Sequence, residues 1–194
     1  MARYLVRVAN DDGYTPRDAQ RVASAIRTIL GSRENASHFR VATHALEFNM
    51  FAKNETELEG RKNLLAQTSF KIISTRLLDM TPKVVDKDQA LAEGVSLFNE
   101  ERFWECHEEL EQAWQPSKGI ERDAIQSIIL TAAAFVHYQK GEEEICISIL
   151  RRARTKMAQA EAYEKIDLKS IEKNIDEILH SEKIHLFKLT MSRI

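Results

Sequence analysis

The chain is short of the residues that break or staple a fold. Only 6 of its 194 residues are Gly, 3 are Pro and 2 are Cys. So little Gly and Pro argues against a collagen-like, low-complexity or disordered chain. Two cysteines cannot build a disulfide scaffold. Cys106 and Cys146 both fall in helical patterns, so buried free thiols in a reducing compartment are expected. No apolar run reaches the roughly 18 residues that a membrane helix needs, and no basic-then-apolar segment opens the chain. No membrane partner is expected, and the cytoplasm is the expected location. With 43% apolar and 30% charged residues, the sequence reads as folded and helix-rich.

Charge is unevenly spread. Residues 1–83 carry 13 Lys/Arg against 9 Asp/Glu, and residues 84–194 carry 15 against 21. An excess of +4 followed by one of −6 suggests two units with different surfaces. It is too small by itself to imply a nucleic-acid partner.

The first eighty residues alternate strand and helix. Tyr4–Val8 is a β-rich run followed by turn residues through Gly13. Thr15-Pro16-Arg17-Asp18 has the form of a helix start, with Thr15 as N-cap, and Val22, Ile26, Ile29 and Leu30 supply an apolar face that Gly31 ends. Phe39–Lys53 is extended in character, as one strand or a hairpin. Glu55–Gln67 is a polar helix, and Phe70–Leu77 a closing strand. The order β-α-β(β)-α-β predicts a small basic α+β domain over residues 1–80, a ferredoxin-like sandwich.

Thr81-Pro82-Lys83 interrupts the pattern. Beyond it, residues 85–194 predict an all-α domain of about five helices: one capped at Asp86, then Arg102–Trp114, Asp123–Tyr138, Glu142–Ala160, and one defined by Leu168, Ile171, Ile175, Ile178 and Leu179. Strand character returns only in the last ten residues. Phe98/Tyr138, Cys106/Cys146, Leu110/Leu150 and Ala113/Ala153 match at an offset of 40, which predicts paired helices in a loose tetratricopeptide-like arrangement.

Phe98–Trp114 reads FNEERFWECHEELEQAW and holds both tryptophans with a His-Glu-x-x-Glu run. On a helix, Phe103, Trp114, His107, Glu111 and Trp104 fall within about a third of the circumference. Leu110, Cys106 and Ala113 extend that arc, while Glu105, Glu109 and Gln112 point away. His107 and Glu111 are therefore expected on the core face, largely withdrawn from water, and buried ionisable groups need partners. The central helix offers Gln126 and His137.

The run Leu97-Phe98-Asn99, Phe103 through Glu111, and Trp114 resembles the family catalogued as domain of unknown function 309. A second element of that family looks like Gln126 through Ala133-Ala134 to His137 and Gly141. The resemblance covers about residues 90–160, departing where Glu101 and Ser127 stand in place of the usual glycines. It implies packed helices and a shared polar cluster of Trp104, His107, Glu108, Glu111, Trp114, Gln126 and His137, without implying a substrate.

Two functions of different classes stand open. One is a binding or scaffold module whose helical groove, lined around the His/Glu/Trp cluster, takes a peptide or small molecule. The other is a metal-dependent hydrolase in which His107, Glu111 and His137 hold a divalent metal and Glu108 is general base. A purely structural hydrogen-bond cluster would use the same residues. Elsewhere, Glu142-Glu143-Glu144 suits a solvated first helical turn. Arg151, Arg152, Arg154 and Lys156 read as a solvated face or a site for an acidic partner. The basic N-terminal unit, with Arg3, Arg7, Arg17, Arg21, Arg27 and Arg33, would stack RNA bases only if Phe48 and Phe51 were exposed, so at most weak RNA binding is expected.

The boundary reading is testable. Limited proteolysis should cut between Asp79 and Asp88, and residues 85–194 should melt cooperatively alone. A fragment that stays unfolded would show that the two halves share one core.

Overall fold

A computed structural model describes residues 1–78, 86–160 and 163–192. The expected boundary around Pro82, at residues 79–85, lies outside the described residues. The chain divides into two compact units, one of Met1–Pro82 with Gln139–Gly141 and one of Lys83–Tyr138 with Glu142–Ile194.

The first unit runs β1 (Ala2–Ala9), α1 (Ala19–Ile29), β2 (Ala36–Val41), β3 (Ala45–Ala52), α2 (Glu55–Ala66) and β4 (Ile72–Leu77). Its four strands form one antiparallel sheet in the order β2-β3-β1-β4, the split β-α-β arrangement of a ferredoxin-like sandwich. Thr15 and Asp18 make a capping box around a short 3-10 turn, Pro16–Asp18, that feeds α1. Phe39–Lys53 resolves into a hairpin. Its turn at Ala42–His44 is held by the distant Asn10, whose amide donates to Ala42 C=O at 3.0 Å and Tyr14 C=O at 2.8 Å. That long-range support explains a turn with little turn chemistry of its own.

Alternation along the strands separates the two sheet faces. Val6, Val8, Phe39, Val41, Leu46, Phe48 and Met50 form one core with Val22 and Ile26 of α1 and Leu58 and Leu65 of α2. Phe48 is wholly buried and stacks on Phe39 at 5.4 Å, whose ring in turn lies under the Arg27 guanidinium, so Phe48 presents no face to a base. The alternate residues carry an arginine–glutamate–arginine triad. Arg7 and Arg40 are the cross-strand partners of Glu47. Arg7 Nε lies 3.0 Å from Glu47 Oε1, and Arg40 Nε donates to Oε2 at 3.2 Å. Arg40 and Glu47 are only 2% and 1% exposed, although strand alternation alone would put such charges in water.

The second unit contains α3 (Lys87–Asn99), α4 (Phe103–Trp114), α5 (Gly119–Gln139), α6 (Glu143–Met157) and α7 (Leu168–Ser181). Among the described residues no helix is long and apolar enough to cross a membrane. The Asp86 side chain caps α3 by accepting from the Asp88 and Gln89 amides. The interval between the second and third helices of this unit is shorter than expected, since α5 begins at Gly119 rather than Asp123.

The offset of 40 is visible in the backbone. Glu101 and Gly141 are both left-handed, at φ 61° and 78°. The next amides, of Arg102 and Glu142, reach back to the carbonyls of Leu97 and His137. Cys106, Leu110 and Ala113 occupy the same positions in α4 as Cys146, Leu150 and Ala153 in α6, and all six are fully buried. Both thiols are free, and burial pushes the Cys146 thiol up to about 12.

Gly94 is where α3 meets α4. A Cβ there would lie 2.4 Å from Leu110 Cδ2 and 2.6 Å from Cγ. Because Leu110 is fully buried it has no room to retreat. Gly94→Ala should therefore lower stability by about 1–3 kcal/mol in denaturant unfolding, despite alanine's better helix propensity. Unchanged or raised stability would show that α3 and α4 can part at little cost.

Candidate functional site

The sequence placed a polar cluster on the core face of α4, and the structure corrects that. The stripe that enters the core is Phe103, Cys106, Leu110 and Ala113. Its centre lies about 90° around the helix from the arc expected for His107 and Glu111. Small residues such as Cys106 and Ala113 mark the close helix contact, whereas the bulky tryptophans sit at its edge, half-buried. Arg122 stacks its guanidinium 3.7 Å from the Trp114 ring centroid and holds that indole at the rim.

His107 and Glu111 are 32% and 49% exposed rather than withdrawn from water. They lie 3.9 Å apart, an i,i+4 pair on the wet side of α4 that interacts as an ion pair only when the imidazole is protonated. Glu108 is exposed and Gln126 half-buried. Among the described residues, no hydrogen bond joins His107 or Glu111 to Gln126 or His137. His137 instead pairs through Nδ1 with Glu142, the N-cap of α6, at 2.5 Å. The candidate ligands His107, Glu111 and His137 are thus not gathered. Among the described residues no three His, Cys, Asp or Glu side chains could hold one metal ion.

Glu105, assigned from sequence to the outer side, is buried. Arg102, the N-cap of α4, grips both of its oxygens at 2.8 and 2.9 Å and also reaches Glu100 at 3.1 Å. These carboxylates hold the Arg102 guanidinium well above its ordinary pKa. The fork explains how a glutamate is tolerated there: planar, two-point pairing compensates much of the lost hydration. Arg154 likewise spans Glu172 and Asp176, and Lys156 reaches Asp123, so those cations serve contacts within the unit.

A separate arrangement lies at the N-terminal end of α4. Phe98 near the end of α3, Phe103 opening α4 and Phe135 on α5 form an aromatic corner, with centroid separations of 4.9, 5.8 and 5.1 Å. Into it comes Phe187, from the extended segment after α7, 5.8 Å from Phe98 and 5.3 Å edge-on to Phe135. Two residues later, Asn99 clamps the main chain of Leu189. Its Nδ2 donates to the Leu189 carbonyl at 2.9 Å, while its Oδ1 accepts from the Leu189 amide at 2.7 Å. One side chain thereby reproduces both bonds of an antiparallel strand pair. Leu189 itself is buried in the helical core.

Asn99 stands in the Leu97-Phe98-Asn99 run, where its sequence context carries no expectation of a role. A polar residue closing an apolar helix beside Phe98 was the available signal. The partner, ninety residues away, had none.

A family model described as a domain of unknown function (DUF309) matches residues 91–149. Phe98, Asn99, Phe103 and Phe135 fall inside that stretch, and Phe187 and Leu189 fall outside it. No curated protein matches the chain. No solved structure matches it either.

Exposure of His107 and burial of Glu105 set opposite expectations for stability. His107→Ala should change unfolding stability by less than about 0.5 kcal/mol, as for an exposed pair. Arg102→Ala should cost on the order of 2–3 kcal/mol by removing the two-point pairing of a buried carboxylate. Denaturant melts of both variants decide this, and equal losses would undo the assignment.

Proposed function

We propose that the helical unit is a peptide-binding module whose groove, bounded by α3, α4 and α5, receives an extended chain. The Asn99–Leu189 clamp carries the reading. An amide that satisfies a donor and an acceptor on one residue reads backbone and is indifferent to side-chain identity. The aromatic corner, two residues away, reads one large apolar side chain. Main-chain bonds for affinity with pockets for alternate side chains is the logic of strand-like peptide recognition. Two free, buried thiols suit a reducing compartment, and the cytoplasm is the proposed setting. The hydrolase reading needs three donors in one place and finds no support in the positions of His107, Glu111 and His137.

A labelled peptide with the sequence of residues 183–192 provides the test, titrated onto a full chain carrying Phe187→Ala and Leu189→Ala. Burying one Phe and one Leu while making two hydrogen bonds, less the cost of ordering the peptide, gives a Kd on the order of 10 µM. Saturable binding should be lost when Asn99→Ala is added. No saturable binding by the doubly substituted chain would sink the proposal.

A further inference from the structure

The segment after α7 has the marks of a ligand tethered to its own receptor. It leaves α7 through Glu182, a non-glycine residue at φ 55° and so in left-handed backbone that carries strain. From Ile184 to Lys188, among the described residues, no main-chain group is hydrogen-bonded to a helix. The segment is held at separate points: His185 to Asn174, Phe187 in the aromatic corner, Leu189 by Asn99, and the main chain of Thr190 and Ser192 to Asp167 and Lys165. Phe187 remains partly exposed although Phe98 and Phe135, whose rings it meets, are buried. The receiving aromatics and Asn99 lie inside the family-matched residues, whereas the segment that fills the groove lies beyond them.

Resting on the peptide-groove reading, we infer that residues 183–192 are an intramolecular strap that closes the groove, and that the ligand admitted when it opens is an extended peptide of the same pattern. That pattern is an aromatic side chain followed two residues later by a leucine, in a chain whose backbone at the leucine is free to pair with Asn99. Positive charge beside the aromatic is part of it. Lys183 and Lys188 flank the strap's apolar run, and residues 84–194 carry a net charge of −6.

The gate follows from tether arithmetic. A short flexible tether holds its ligand at an effective concentration on the order of 1 mM. Against an intrinsic Kd of about 10 µM, that keeps the strap seated about 100 times more often than it is open. A competing peptide meets a groove that is open about 1% of the time, and its apparent affinity falls by the same factor. Conversely, a change that unseats Phe187 or Leu189 raises affinity without touching the groove. The strap adds no helix, and it pairs in strand fashion with Ile166 through Met191.

Two measurements on the full chain test the gate. First, the labelled peptide of residues 183–192 is titrated onto the wild type and onto the Phe187→Ala, Leu189→Ala chain, with circular dichroism to compare helix content. The inference expects binding about 100-fold weaker in the wild type. Equal affinities in the two chains would leave the groove reading standing and overturn the strap as gate, while binding by neither would overturn the groove reading itself. Second, amide hydrogen exchange is followed in the unsubstituted protein, so the answer does not depend on a variant folding. The amides of Leu189 and Ser192 should exchange together, with protection of only about 100-fold, well ahead of the α5 core. If they exchange together with the core amides of α5, the strap opens only on global unfolding and is no gate.

Discussion

A side chain on Gly94 would collide with Leu110, and much of the helical unit depends on the close approach that its absence permits. With α3 lying tightly against α4, only Glu100–Arg102 are left to turn the chain. A reversal that short requires left-handed backbone, which Glu101 adopts without being a glycine. The turn is closed by the Glu101 and Arg102 amides on Phe98 and Leu97. It fixes the last residues of one helix against the first of the next. Phe98 meets Phe103, and Asn99 is left with its amide on the main chain of Leu189. The seat of Phe187 and Leu189 is thus a consequence of helix packing, and its precision is inherited from a buried core rather than from a loop.

Charge enters the structure under two regimes. On the outer side of α4, His107 and Glu111 sit in water, where an ion pair contributes little. Within each unit a few charges are buried, and these are paired by geometry that only arginine offers. Arg102 forks onto Glu105 inside one helical turn, while Arg7 and Arg40 flank Glu47 across three strands. The two cases differ in origin. The first is local, set by an i,i+3 spacing. The second requires β1, β2 and β3 to be in register, and a slip of one residue would strand a charge on the wrong face. The triad therefore specifies strand register more than it adds stability.

Local spacing was enough to determine the elements. Period-two alternation in β1, the Thr15 and Asp86 caps, and the apolar spacing of α4, α6 and α7 made the two-part architecture and the seven helices of the described residues legible, along with the internal repeat. The repeat could be read because helices that pack in the same way need small residues at the same places, and Cys106/Cys146 and Ala113/Ala153 satisfy that need. The rotation of α4 about its own axis was misread. Tryptophan is apolar enough to suggest a core face, yet a tight helix pair selects against its bulk, and Arg122 could stack on Trp114 only once α4 and α5 were folded together.

What tertiary structure alone decided are the long-range pairings: Asn10 with the β2–β3 turn, Glu47 between its arginines, and Asn99 with Leu189. Nothing in the periodicity around Asn99 points ninety residues along the chain. Hydrogen bonding by an amide side chain leaves no period, and an extended segment such as Ile184–Leu189 shows the same apolar spacing whether it pairs in a sheet or lies on helices. The elements follow from interactions within a few residues, which a linear sequence displays. The site follows from which elements pack together, and packing is settled by shape and burial across the whole unit.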